Sequence, residues 1–309
     1  VGLFFWGIFM INWQKIADSI SQATRTDFSV AQASPIAGGD TNQAWHLAGL
    51  TGPAHKARDA HYFVKLNAAD KAGMFTAEHA GLAALAATGT VRVPQVITAG
   101  VAGQHSFLVL EYFDLCRSGN FELFGAQLAA LHRLQTAKFG WDRNNTLSLT
   151  PQHNTWAGDW LSFWGEQRLG FQLQLAARNG YGGNLQVLGQ RVMDALPDLF
   201  AGYHPAASLL HGDLWAGNYA FLADGTPLIF DPAPYFGDRE ADIAMTELFG
   251  GFDSGFYTAY HAAYPLDAGY ATRKTLYNLY HILNHCNLFG GSYAKQAEGM
   301  MQRLLEEVS

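Results

Sequence analysis

The chain is poor in cysteine, with Cys116 and Cys286 the two thiols among 309 residues. Two thiols cannot build a disulfide framework and are too few for a structural zinc site. The fold must therefore stand on packing, as suits a reducing interior, and both cysteines read as small buried hydrophobes. Charge is also sparse: 15% of residues carry one, 26 acidic against 19 basic, for a net −7. Lys and Arg form no dense cluster, which argues against a nucleic-acid or anionic-membrane surface and makes any phosphate site local. Long apolar runs are missing too. Val1 to Ile11 is uncharged and aromatic-rich but falls short of the roughly 20 residues that a membrane helix needs. It lacks the basic start and small-residue cleavage site of a secretory signal. Because Met10-Ile11-Asn12-Trp13-Gln14 reads like a natural start, residues 1–11 are expected to be a non-native upstream extension. Packing in an apolar groove is the other reading. Repeats and low-complexity tracts are absent. The expectation is a cytoplasmic protein, monomeric or a weak homodimer.

What is abundant is apolar surface, 49% of residues, enough for a substantial core. Trp13, Ile16, Ala17 and Ile20 have helical spacing. Strand-like pieces follow at Phe28 to Ala33, Ala44 to Ala48 and Tyr62 to Leu66, then an Ala/Glu/Leu-rich helix at Ala72 to Ala87. Two more strands are read at Val93 to Val96 and Ser106 to Tyr112. Beyond residue 113 the composition turns helical: Phe121 to Gln135, Thr155 to Ala177, Leu185 to Phe200, Tyr257 to Ala263, Arg273 to Asn287 and Tyr293 to Glu307. Strand character returns only at Ser208 to Leu210, Tyr219 to Leu222 and Pro227 to Phe230. The pattern predicts an α+β chain of two lobes. A small N-lobe, residues 12–113, carries a five-stranded antiparallel sheet, and a larger, mainly helical C-lobe spans residues 114–309.

The strongest chemical signal is His211-Gly212-Asp213-Leu214-Trp215-Ala216-Gly217-Asn218, with Asp231 thirteen residues further on. Read as H-x-D-L-x-x-x-N followed by Asp, it keeps the spacing of the protein-kinase catalytic loop and its metal-binding aspartate. This suits phosphoryl transfer: Asp213 as the base at the attacking hydroxyl, Asn218 and Asp231 as oxygen ligands for Mg²⁺ on ATP. His211 is read as a brace for the loop. Lys65, among apolar neighbours on the third strand, suits the α- and β-phosphates, with Glu78 on the next helix its partner; alone, it would read as a snorkelling strand lysine. Gly38-Gly39-Asp40-Thr41-Asn42 lies between two strands, where Gly38, Gly39 and Asn42 could cover phosphates, although a Gly-Gly hairpin is a common turn. It is neither a Walker A loop nor the full G-x-G-x-x-G. Glu111, Tyr112 and Phe113 at the lobe junction either offer backbone to an adenine edge or simply end a strand. Trp156, Trp160 and Trp164 recur at i, i+4, i+8 on one helix face, as core or as part of a sugar platform.

Together these residues resemble the fructosamine kinase (ketosamine 3-kinase) family of the aminoglycoside-phosphotransferase and protein-kinase-like superfamily. The matching phrases are Gly38-Gly39-x-x-Asn42, Phe63-Val64-Lys65-x-Asn67, Phe75-x-x-Glu78, the His211 to Asn218 loop, and Asp231-Pro232-Ala233-x-Tyr235-x-Gly237-x-Arg239-Glu240-Ala241-Asp242. Trp215 and the Tyr-x-Gly-x-Arg-Glu-Ala-Asp phrase separate this family from aminoglycoside and choline kinases. The resemblance implies a bilobal kinase fold and ATP-dependent phosphorylation of the 3-hydroxyl of a small or protein-bound ketosamine, as deglycation repair. It also implies that Asp242 braces the catalytic loop and that Arg239 and Glu240 serve as internal bracing groups. Trp215, beside Asp213, is expected to stack on the ketosamine. Two departures stand out. Asp40 occupies the place where members often have cysteine, so thiol regulation is not expected there. The family's Asp-Asn-x-Ile-Gly phrase reads Asn144-Asn145-Thr146-Leu147-Ser148.

Overall fold

The computed structural model describes residues 11–37 and 41–308. The 1–10 part of the apolar extension, and Gly38, Gly39 and Asp40, lie outside the described residues. By contacts the chain divides into two compact units, one comprising the residues up to Ala83 together with Pro94–Asp114, the other Ala84–Val93 with Leu115 onward.

The first unit opens with α1 (Trp13–Thr24), whose first turn is capped by the Asn12 side chain accepting from the Lys15 amide at 3.0 Å. A five-stranded antiparallel sheet follows in spatial order β1 (Phe28–Ile36), β2 (Gln43–Thr51), β3 (Arg58–Ala68), β5 (His105–Glu111) and β4 (Val96–Ala102); α2 (Ala72–Ala87) connects β3 to β4. The period-2 rule divides the sheet's faces. Leu47, Val64, Leu66, Phe107 and Val109 bury themselves against Ile16, Ala17 and Ile20 of α1. Residues 61, 63 and 65 of β3 take the other face. The fourth strand is shifted from its expected place at Val93 to Val96. Pro94 has no N–H to give a ladder, and pairing with β5 starts at Val96↔Leu110.

The second unit contains α3 (Phe121–His132), β6 (Gln135–Thr136), the hairpin β7 (Asn145–Leu147) and β8 (Thr150–Gln152), α4 (Trp160–Trp164), a π-helical turn at Gly165–Gly170, α5 (Phe171–Arg178), α6 (Asn184–Asp194) and α7 (Leu196–Leu199). Then come β9 (Ala207–Leu209), the hairpin β10 (Tyr219–Phe221) and β11 (Pro227–Ile229), β12 (Phe236–Gly237), α8 (Glu240–Leu248), α9 (Ser254–Ala263), α10 (Tyr270–Phe289) and α11 (Tyr293–Glu307). Its core gathers α4 to α6, α10 and α11 around Trp160, Phe163, Trp164, Tyr277 and Leu304. The helix expected from Thr155 begins five residues later, because Asp159 caps it by accepting from the Ser162 amide at 2.7 Å. Trp156 therefore lies outside the helix and is exposed, while Trp160 and Trp164 are core; the three do not form one helical face. Among the described residues no helix is long and apolar enough to cross a membrane. Both cysteines are free, Cys286 buried and Cys116 partly so.

Candidate active site

In the second unit, the short strand β9 delivers the chain into the loop 210–218. Gly212 sits at φ +83°, and a Cβ there would come within 2.0 Å of the Ala233 carbonyl oxygen. Only glycine allows that approach. The loop is tied down from α8: Asp242, in the first helical turn, accepts the His211 amide at 2.7 Å and the Gly212 amide at 2.8 Å. Its Oδ2 also faces His132 Nε2 at 3.2 Å, and His132 Nδ1 meets the Tyr260 hydroxyl at 2.8 Å. Burial alone would raise the Asp242 carboxyl, but the hydrogen bond and charge of His132 hold it below its ordinary value. His132 is a bracing residue that spacing did not reveal, since it stands 110 positions from its partner. His211 is fully buried and pairs through Nε2 with the Phe230 carbonyl at 3.0 Å, and burial holds its pKa down. It is thus set as a neutral prop.

Asp213 and Asn218 come together. The Asn218 amide nitrogen donates to the Asp213 carbonyl at 2.8 Å and to its Oδ2 at 3.2 Å. Those bonds use the nitrogen, and among the described residues nothing donates to Asn218 Oδ1. Burial first, and then the nearby charge of Asp231, push the Asp213 carboxyl up to about 7. Asp231 follows β11 at φ +56°, an unusual conformation for a non-glycine residue. The carboxyl groups of Asp213 and Asp231, close enough to perturb each other, and the Asn218 amide oxygen form an oxygen donor set that suits a hard divalent cation. Among the described residues, no group of three or more His, Cys, Asp or Glu side chains converges as a metal cage. A cation here would complete its shell with phosphate and water oxygens.

Trp215 projects from the loop 38% exposed, edge-on to Phe249 at 5.9 Å between ring centroids. Phe249 in turn meets His285 at 5.2 Å. A Cβ on Gly217 would come within 2.3 Å of the indole, so Gly217 makes room for this ring. The Tyr-x-Gly-x-Arg-Glu-Ala-Asp phrase is structural in its contacts. Arg239 donates to the Tyr260 hydroxyl and to the carbonyls of Tyr264 and Pro265, and Glu240 is paired with Arg273 at 2.8 Å in the interior.

In the first unit, Lys65 on β3 is buried, and its Nζ contacts Glu78 Oε1 on α2 at 2.6 Å. Asn42 is gripped through Oδ1 by the Asn67 side chain at 2.8 Å, and Asn67 also donates to the Thr41 carbonyl. Thr41 and Asn42 are thus pinned to the strand that carries Lys65. Glu111 ends β5 with its amide committed to the Gln95 carbonyl at 2.9 Å. The Tyr112 ring stacks on His46 at 4.1 Å, and His46 Nε2 lies 2.9 Å from His61 Nδ1.

The fructosamine kinase family model matches residues 12–307. A probable ketoamine kinase of Synechocystis sp. is 46% identical over 95% of this chain and 97% of its own length. The chloroplastic protein-ribulosamine 3-kinase of Arabidopsis thaliana is 42% identical over 82% of this chain and 78% of its own. Among solved structures, the "Putative fructosamine-3-kinase" of Haemophilus somnus aligns at a TM-score of 0.83 and 31% identity, covering 95% of this chain and 97% of the other. The gentamicin complex of an aminoglycoside phosphotransferase, at 11% identity and a TM-score of 0.59, shares the fold. The chain has the kinase-like α+β fold and belongs to the fructosamine kinase family.

Proposed function

We propose that this protein is an ATP-dependent ketosamine kinase that phosphorylates the 3-hydroxyl of fructosamine- or ribulosamine-type adducts, free or protein-bound, in deglycation repair. The observation that carries the reading is the Asp213–Asn218 pair, held by Asp242 in a loop that also presents Trp215. Family membership supports the substrate class, as do relatives named for ketoamine and protein-ribulosamine kinase activity. Asp213 orients the sugar hydroxyl and takes its proton as the phosphoryl group leaves, and a carboxyl near 7 suits a base working at neutral pH. Asn218 and Asp231 would hold Mg²⁺, which when bound neutralises charge on the transferring phosphate. Lys65, oriented by Glu78, binds the α- and β-phosphates. The Gly38-Gly39 segment with Asn42 covers them, and Glu111 to Phe113 receive the adenine. Trp215 stacks on the ketosamine or its amine substituent.

The test is ADP release with ribulosamine, fructosamine, an aminoglycoside and choline, for wild type and Asp213→Asn. Turnover confined to the two ketosamines, and lost in the variant, is expected. Turnover of the aminoglycoside or choline instead would overturn the substrate class, and an active variant would overturn the base.

A further inference from the structure

Asp231 is followed by Pro232, Ala233 and Pro234, so two of the next three residues have no N–H and the segment cannot make an ordinary strand ladder. Pro232 to Tyr235 are nevertheless buried, and their carbonyls need donors. Those of Ala233 and Pro234 find them in side chains. Gln152 Nε2 donates to the Ala233 carbonyl at 3.0 Å, and Asn145 Nδ2 to the Pro234 carbonyl at 2.9 Å. The two amides face each other across the β7–β8 hairpin and share a 2.9 Å bond. Behind them Asn154 donates to Asn145 Oδ1 at 2.9 Å and accepts from Arg168 at 2.6 Å. The Tyr280 hydroxyl donates to Gln152 Oε1 at 2.9 Å, which fixes the amide's orientation.

Arg168 is fully buried in the π-helical turn and, among the described residues, makes no salt bridge. Its guanidinium lies over the Tyr235 ring at 4.1 Å and donates to the His153 carbonyl. Burying a cation without a carboxylate partner costs several kcal/mol, and a π turn is a rare irregularity often found at functional sites. Besides the carbonyls of Arg143, His153 and Gln167 in its own segment, the cluster reaches, among the described residues, the carbonyls of Ala233 and Pro234 that follow Asp231, so it ties that segment down as well as filling the core. A non-glycine residue at positive φ persists only where its neighbours over-determine it.

We propose that Gln152 and Asn145, anchored by Arg168 and Tyr280, are positioning residues that hold Asp231 in the geometry for binding a divalent cation. The proposal rests on the reading of Asp231 as a cation ligand. The test measures Mn²⁺ affinity in the presence of ADP by electron paramagnetic resonance, on Asp231→Asn, Gln152→Met, Tyr280→Phe and, as a remote core control, Leu304→Val. Asp231→Asn is expected to abolish tight Mn²⁺ binding. Gln152→Met should raise the Mn²⁺ dissociation constant about tenfold and Tyr280→Phe two- to threefold, with ADP affinity without metal unchanged and Leu304→Val at the wild-type value. If Asp231→Asn keeps wild-type Mn²⁺ affinity, the reading of Asp231 falls and the proposal with it. If Asp231→Asn loses affinity while Gln152→Met and Tyr280→Phe keep it, the positioning role alone is overturned. An equal loss in Leu304→Val also overturns it. Should Gln152→Met fail to fold, Tyr280→Phe, which removes one hydroxyl, decides the matter.

Discussion

Asp213 costs the fold stability in return for its chemistry. Its carboxyl titrates at about 7 in the folded chain because burial and Asp231 disfavour its charge, whereas in the unfolded chain it titrates near 3.9. Between those values the folded state binds more protons. Its contribution to stability is therefore present below about pH 4 and is lost as pH rises through about 7. Asp213→Asn should cut turnover by roughly 10²- to 10⁴-fold. It should also raise stability at pH 8 by on the order of 2 kcal/mol, an advantage that vanishes near pH 4. Urea melts at the two pH values check this, and a variant no more stable at pH 8 would contradict it. Gly217 supplies a second prediction. A methyl group there must displace the Trp215 indole, which it would meet at 2.3 Å. Gly217→Ala should raise the ketosamine KM to the level of Trp215→Ala while leaving the ATP KM unchanged; steady-state kinetics on both substrates decides it.

At the scale of elements, local chemistry dominates helix ends. Arg25 closes α1 in the left-handed conformation at φ +55°, exposed to solvent, a position that glycine occupies at lower cost. Arg25→Gly should stabilise by about 0.5 kcal/mol in thermal melts, the relief of strain exceeding the added unfolded-state entropy. Helix contacts respond in the opposite direction. Gly125 of α3 lies against α9 so closely that a Cβ would reach the Phe256 carbonyl oxygen at 2.1 Å. Gly125→Ala should cost about 1–3 kcal/mol through backbone displacement, and an unchanged melting temperature would refute the packing. The sequence readily reveals elements with a polar and an apolar face: α1 and α11 follow their periodicity. It conceals α8, whose residues Glu240 to Thr246 are all buried, because a helix without a solvent face has no amphipathic period to read. The β7–β8 hairpin is equally silent, since its three-residue strands are too short to alternate.

Across the whole molecule, the candidate site is legible where one short segment carries the chemistry and obscure where distant segments support it. Asp213, Trp215, Asn218 and Asp231 fall within nineteen residues of chain and carry recognisable spacing. His132, Gln152 and Arg168 are drawn in by tertiary packing; Gln152 bonds to a carbonyl 81 positions away, and no local pattern encodes that pairing. Each unit carries residues for which a part in nucleotide binding is proposed, and each part can be measured separately. Ligand at about 100 times its dissociation constant stabilises the folded state by about 2.7 kcal/mol. For a chain of 309 residues, with unfolding entropy of about 2.1 cal/mol/K per residue, this corresponds to a rise of about 4 °C in Tm. Lys65 is buried against Glu78 in the first unit, so Lys65→Met should erase the rise produced by ADP alone in EDTA. Asp231, in the second, should leave that rise intact when changed to Asn and remove only the increment added by Mg²⁺. Differential scanning calorimetry with EDTA, ADP and MgADP separates the two. A Mg²⁺-dependent increment that persists in Asp231→Asn would remove Asp231 from the metal site and leave the cation to the phosphates and Asn218.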